Sequence, residues 1–410
     1  MLAFTIGVVL FALGIGVSIA LHEAGHMVTA KAFGMKVRRY FIGFGPKLFS
    51  FRRGETEYGL KLIPAGGFCD IAGMTALDEV TPEEEPRAMW RFPVWKRVTV
   101  LSAGSITHFI LGFIVLYLMA LVIGLPNNAE KPVVDSVGCV SNWVIKGTTV
   151  TQPACSATDP TPAKDAGFQS GDLVVSINGQ ATPTFEVVKS ITQKLHGPAT
   201  FMVERDGKQI PLTVNIATAR QIPASEANSN TTTPTLAPVG AIGVSMAPYL
   251  HYGPVAALGG TVDDTGQIFV GVWQGLKSLP DRVPNLLAAI AGQPRDQNGP
   301  ISVVGASELG GQAAQSGLWS VFWGLFASLQ FFVGVFNLLP LLPLDGGHIA
   351  VVLYERARDW FRRLAGRPAG GPVDYTKLAP LTLIVVFLGG ALMILTVTAD
   401  IVNPIKLPGQ

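Results

Sequence analysis

Two histidines four residues apart with a glutamate beside the first, His22-Glu23-Ala24-Gly25-His26, are the residues of this 410-residue chain best equipped for chemistry. On a helix, positions i and i+4 share one face, with Cβ atoms about 5–6 Å apart. Both imidazoles can then reach one metal ion at roughly 2.0–2.1 Å. Glu23 is placed to take a proton from a water on that metal. The plain alternative is two polar residues at the wet end of a helix. It must explain three polar side chains within five positions of an otherwise apolar segment, where ionisable groups are expensive and mark function.

A second polar site interrupts a later apolar run, Phe336-Asn337-Leu338-Leu339-Pro340-Leu341-Leu342-Pro343-Leu344-Asp345-Gly346-Gly347-His348. Pro340 and Pro343 break a regular helix. Irregular backbone at membrane depth is tolerated only where it is packed in protein or lines a wet cavity. A catalytic zinc takes three protein ligands and keeps one open position. His22, His26 and Asp345 would supply the three. His348 is a rival ligand, but the break and its two glycines favour Asp345. Asn337 is expected to hydrogen-bond the substrate backbone or a developing oxyanion. The bland reading is a helix-ending turn with an aspartate cap.

These residues must be positioned by membrane helices. The chain is 49% apolar and 14% charged, with a net charge of +2, against roughly 25% charged residues in soluble domains. Its mean hydropathy is +0.40. No basic block suggests nucleic acid, and three cysteines make no disulfide scaffold. The N-terminal run lacks a basic flank and leads straight into the histidines, so it reads as a span rather than a removable signal. Four segments are long enough to cross a bilayer, at about 20 residues each: 2–33, 98–124, 318–339 and 380–399. Residues 31–97 carry twelve Lys or Arg and residues 354–379 carry six, whereas 125–317 carries eleven over a much longer stretch. The positive-inside rule puts the two basic loops in the cytoplasm. Both termini and the long insert then lie outside, and the histidines fall toward the cytoplasmic side.

In the cytoplasmic loop, Phe41–Pro46 leads to a strand at Leu48–Phe51, a turn at Arg52–Glu55 and a strand at Thr56–Leu62, with Pro64–Phe68 ending the pattern. This is either a small sheet at the membrane surface or a sheet edge that pairs with an unwound substrate strand. Glu83–Glu85 reads as solvated. In the second span, small residues at 103–105 precede His108. That histidine either supports the metal ligands or gates substrate, or is simply buried against a neighbouring backbone. Outside, Leu173–Ile177 is a strand, Asn178-Gly179 a hairpin turn, and Asp206-Gly207 the turn of a second hairpin. Strands and two helices in about 90 residues suggest a small partly open barrel. Cys139 and Cys155 are sixteen apart in an oxidising compartment that permits a disulfide; two buried thiols are the alternative. Cys69 reads as a free thiol. Residues 221–238 read as a flexible linker, and 255–279 and 283–290 as amphipathic surface helices.

Taken together, the His22–His26 motif, Asn337-Leu338-Leu339-Pro340 with Leu344-Asp345-Gly346, and Gly43-Phe44-Gly45 resemble the bacterial site-2 protease family of intramembrane zinc metalloproteases. Residues 163–179 resemble the middle of a PDZ domain. The resemblance implies zinc on His22, His26 and Asp345, Glu23 as general base, and substrate contacts from Asn337 and the Gly43, Phe44, Gly45 turn. It implies cleavage of membrane substrates, such as anti-sigma factors or similar single-span proteins, after an upstream site-1 protease has trimmed them. The PDZ-like region would act as a size filter. The family pattern usually has Asn where His108 stands, and 138–160 looks like an insertion carrying the cysteine pair.

The expected fold is a polytopic α-helical membrane protein with four transmembrane helices. A cytoplasmic membrane-associated β-hairpin region and an extracytoplasmic PDZ-like α+β domain complete it. The expected segments are 1–33, first helix; 34–97, cytoplasmic loop; 98–124, second helix; 125–220, PDZ-like domain; 221–317, linker and surface helices; 318–353, third transmembrane segment; 354–379, basic loop; and 380–402, fourth helix. The competing reading is a non-catalytic membrane adaptor that binds partners through the PDZ-like region.

Overall fold

A computed structural model describes residues 1–75, 78–146, 149–224 and 235–407. In chain order it contains α1 (Leu2–Ala32), β1 (Val37–Arg53), β2 (Thr56–Ile71), α2 (Val94–Val122), β3 (Leu125–Pro126), β4 (Val134–Val137), β5 (Val144–Lys146) and β6 (Thr149–Thr151). Next come α3 (Pro162–Asp165), β7 (Leu173–Ile177), β8 (Gln180–Ala181), α4 (Phe185–Thr192), β9 (Gly197–Arg205), β10 (Lys208–Gln221), β11 (Ala237–Ala241), β12 (Val244–Met246) and β13 (Tyr249–Leu250). The chain closes with α5 (Pro254–Ile290), α6 (Val303–Gln315), α7 (Trp319–Asn337), α8 (Asp345–Leu364) and α9 (Ala379–Val402). It divides into two compact units, 1–122 with 253–410, and 123–252.

Among the described residues, four helices in the first unit are long and apolar enough to cross a membrane: Leu2–Ala32, Val94–Val122, Trp319–Asn337 and Tyr375–Val402. At 1.5 Å per residue, even the 19-residue α7 reaches about 28 Å, close to the hydrocarbon thickness of about 30 Å. Small residues let these helices touch. A Cβ on Gly7 would lie 2.6 Å from the Ala314 Cβ on α6, and one on Gly25 would lie 2.7 Å from the Ala103 carbonyl on α2.

The hairpin β1–β2 is longer than the sequence suggests. Pro64–Phe68 does not end it; β2 runs on to Ile71. Both strands bend, so each pairs twice. Residues 39–42 pair on one side with 67–70 (Phe41 with Phe68) and on the other with 57–60 (Phe41 with Gly59), while Phe51 pairs with Tyr58. The product is a small antiparallel sheet with 67–71 along one edge. Gly43 (φ 88°) and Gly45 (φ 82°) form the bend in β1, where a Cβ on Gly43 would come 2.7 Å from the Ile63 carbonyl. The acidic run 83–85 is not simply solvated. Glu84 takes two hydrogen bonds from Arg38, at 2.9 and 2.7 Å, and Glu85 pairs with Arg91.

In place of two surface helices, residues 254–290 form the single helix α5, with Pro280 and Pro284 inside it. Its Phe269 packs at 5.3 Å against both Phe109 of α2 and Phe331 of α7. Helix α6, within the stretch expected to be linker and surface helix, is buried along most of its length. Ser302 caps it by accepting from the Val304 and Gly305 amides.

The second unit holds a five-stranded sheet in the order β11-β10-β9-β7-β8. Its core includes Phe168, Val174, Ile177, Phe201, Val203 and Val214, with Val188 of α4 packed on it. The expected hairpin turns are present. Asn178 (φ 49°) with Gly179 (φ 80°), and Asp206 (φ 50°) with Gly207 (φ 72°), take the left-handed backbone such turns require. Cys139 and Cys155 are joined by a disulfide, and Cys69 is a free thiol. The linker reading of 221–238 falls mostly on residues 225–234, outside the described residues.

Candidate active site

Helix α1 puts His22 and His26 on its buried face. The rings are held edge to face, 4.8 Å between centroids. His26 Nδ1 lies 2.7 Å from the Val100 carbonyl of α2. A carbonyl only accepts, so Nδ1 carries the proton and Nε2 offers a lone pair. The two Nε2 atoms are 3.2 Å apart. Asp345, the first residue of α8, brings Oδ2 to 3.3 Å from His22 Nε2 and 3.4 Å from His26 Nε2. The helix is broken between α7 and α8 because Pro340 and Pro343 cannot continue it. Gly346 and Gly347 allow the tight return: a Cβ on Gly346 would lie 2.2 Å from the Leu338 carbonyl.

The three atoms fit a metal. Four tetrahedral bonds of about 2.0–2.1 Å hold ligand atoms about 3.3–3.4 Å from one another. Asp345 Oδ2 is buried without a hydrogen-bond partner among the described residues. Three converging electron-rich atoms with no proton shared to Oδ2 suit a cation. Among the described residues, His22, His26 and Asp345 are the group of His, Cys, Asp or Glu side chains arranged to hold one. His348, the rival, turns away; its Nδ1 lies 3.3 Å from the Tyr375 hydroxyl.

Glu23 faces the sheet edge. A Cβ on Gly67 would sit 2.9 Å from Glu23 Cγ. The Tyr40 hydroxyl donates to the Ala20 carbonyl at 2.7 Å. Burial, and then the charge of Glu23, push the Tyr40 phenol up to about 12. The Cys69 thiol is pushed up by the same two causes. This half-buried wall therefore lies close to a carboxylate.

Other expected site residues are placed as follows. Asn337 is the last residue of α7, at the lip of the break before Asp345. Phe44, 45% exposed, stacks on Phe68 of the sheet edge at 6.4 Å. His108 is buried, but its partner is a side chain rather than backbone: Nδ1 lies 2.8 Å from Gln330 Oε1 on α7. Two contributors escape a reading of spacing. Gly104 lies directly over the ligands, where a Cβ would be 2.5 Å from both His22 Cε1 and His26 Nε2. Gln330 is the other. Only the small-residue run at 103–105 hinted at the first.

Residues 10–369 match peptidase family M50. The chain is 45% identical over 413 residues to the zinc metalloprotease Rip1 of Mycolicibacterium smegmatis, covering 98% of this chain and 99% of that one. It is 46% identical over 409 residues to the zinc metalloprotease Rip1 of Mycobacterium tuberculosis H37Rv, with the same coverage of each. The metalloprotease MmpA of Caulobacter vibrioides is 30% identical over 387 residues, covering 87% of this chain and 88% of that one. The chain belongs to peptidase family M50. It is an intramembrane metalloendopeptidase that works with zinc, a multi-pass membrane protein of a family that cleaves membrane-bound substrates. The adaptor reading is not favoured.

Proposed function

We propose that His22, His26 and Asp345 hold the zinc and that Glu23 is the general base for cutting peptide bonds within the bilayer. The observation that carries this is the spacing of the three donor atoms, 3.2, 3.3 and 3.4 Å, which suits a tetrahedral ion. Zinc held there supplies Lewis-acid polarisation of the scissile carbonyl and lowers the pKa of a water toward about 7. Glu23 takes the proton that the attacking water gives up and delivers it to the leaving amine.

The substrate must arrive as extended backbone, because a helix keeps its carbonyls in its own hydrogen bonds. The edge 67–71 lies against Glu23 and offers backbone groups to an added strand. Gly67 keeps that approach clear of side chain, and Gly43, Phe44 and Gly45 shape the bend beside it. Asn337, at the end of α7, is the further residue for the substrate backbone. The distribution of Lys and Arg supports cytoplasmic placement of 34–97 and 354–379, with both termini outside and the site toward the cytoplasm. The sheet and two helices of 123–252 suit a PDZ-like extracytoplasmic domain that screens substrates by size. Its substrates would be single-span proteins such as anti-sigma factors, trimmed first by a site-1 protease.

Purified full-length enzyme and its Glu23→Gln variant, incubated in detergent with a trimmed single-span substrate, test the reading. Glu23→Gln should bind zinc as wild type does and lose about 10²–10⁴-fold in cleavage rate. A variant that still cuts at the normal rate would refute the role of Glu23.

A further inference from the structure

The two histidine ligands are supported unequally. His26 donates Nδ1–H to the Val100 carbonyl at 2.7 Å. His22 Nδ1 is buried and has no hydrogen-bond partner among the described residues. A metal-binding histidine almost always donates its second ring N–H, which fixes its tautomer and orientation and raises its basicity. An acceptor for His22 Nδ1–H is therefore the missing piece of this site.

Helix α2 presents one candidate. Gly104 leaves the space over the ligands clear, and His108, one turn further along the same face, sets its ring 5.1 Å from that of His22, centroid to centroid. The two rings are tilted 47° to one another and no hydrogen bond joins them in this structure, which leaves a bridging water as the link between them. His108 is 3% exposed, and its Nδ1 is committed to Gln330 Oε1 at 2.8 Å. A carboxamide oxygen only accepts, so in neutral His108 the proton is on Nδ1 and Nε2 is a free acceptor. Gln330 is itself 1% exposed and its Oε1 reaches across from α7. The polarity of the chain of groups runs one way, from His22 to His108 to Gln330.

We infer that His108 Nε2 is the acceptor for His22 Nδ1–H in the zinc enzyme, reached through one water, and that Gln330 fixes the tautomer that makes it one. The inference rests on His22 being a zinc ligand. His108 and Gln330 are positioning residues that act through His22, which explains two buried polar side chains on membrane helices that the proteolytic steps leave unused.

The test is zinc affinity of purified full-length variants, measured by competition with a chromogenic chelator, with apo-state thermal unfolding recorded alongside. His108→Phe keeps the ring and removes the acceptor; it should weaken zinc binding about 10–100-fold with apo unfolding unchanged. His108→Asn keeps an acceptor oxygen and should recover most of the loss. Gln330→Met should weaken binding by a smaller factor in the same direction, and Gln330→Glu should restore it. Wild-type affinity in His108→Phe, or equal losses in the Phe and Asn variants, would overturn the inference. If His108→Phe does not fold, wild-type affinity in Gln330→Met would overturn it as well. Zinc retained by His22→Ala would instead overturn the ligand assignment, and the relay with it.

Discussion

At the scale of residues, the site depends as much on a missing side chain as on those present. Alanine at position 104 should help an isolated helix by roughly 0.5–1 kcal/mol over glycine. Here its Cβ would meet His22 Cε1 and His26 Nε2 at 2.5 Å, and His22 Nε2 at 2.6 Å, distances no side chain can hold. Propensity and site geometry thus pull in opposite directions, and the rigid contact wins. Gly104→Ala should lower zinc occupancy at least tenfold with helical content unchanged, as metal analysis with circular dichroism would show. Unchanged zinc would mean that α2 can retreat. His22, Glu23 and His26 were legible because a helix brings positions i and i+4 together whatever the rest of the fold does. Asp345 was legible because prolines and glycines in an apolar run demand a reason. Gly104 was not, since its partners lie far away in sequence and nothing local reports them. The pairing of His108 with Gln330, 222 residues apart, was hidden for the same reason.

At the scale of elements, turn chemistry and apolar length were read well, and pairings were not. The Asn178-Gly179 and Asp206-Gly207 turns and the four apolar helices follow from local composition. The second pairing of 39–42 with 67–70 does not, because glycine-rich strands with positive-φ bends lose the alternation by which strands are recognised. Continuous α5 was obscured by Pro280 and Pro284, which normally end helices. The end of α9 carries a buried charge whose partner lies 105 residues away in sequence. Asp400 and Arg295 have side chains 1% and 4% exposed and meet at 2.7 Å. Asp400 Oδ2 also accepts from the Ser302 amide at 2.6 Å, beside the start of α6. Removing one member of such a pair leaves an uncompensated buried charge, at about 3–5 kcal/mol. Asp400→Ala should lose about that much stability in thermal unfolding in detergent. An unchanged transition would show that water already reaches Arg295.

At the scale of the whole molecule, residues near the start of the chain and a residue more than three hundred positions later must share one ion. Helices α1, α2, α7 and α8 exist, on this view, to hold that convergence inside an apolar phase, and the sheet of 37–71 brings backbone to it. Family membership establishes an intramembrane zinc peptidase; it does not by itself say which atoms of this chain hold the zinc. Zinc content of the purified full-length protein, compared with Asp345→Ala, decides this most directly. Wild type should hold one zinc per chain, and the variant less than a tenth of that after the same dialysis. A full complement of zinc in Asp345→Ala would contradict it.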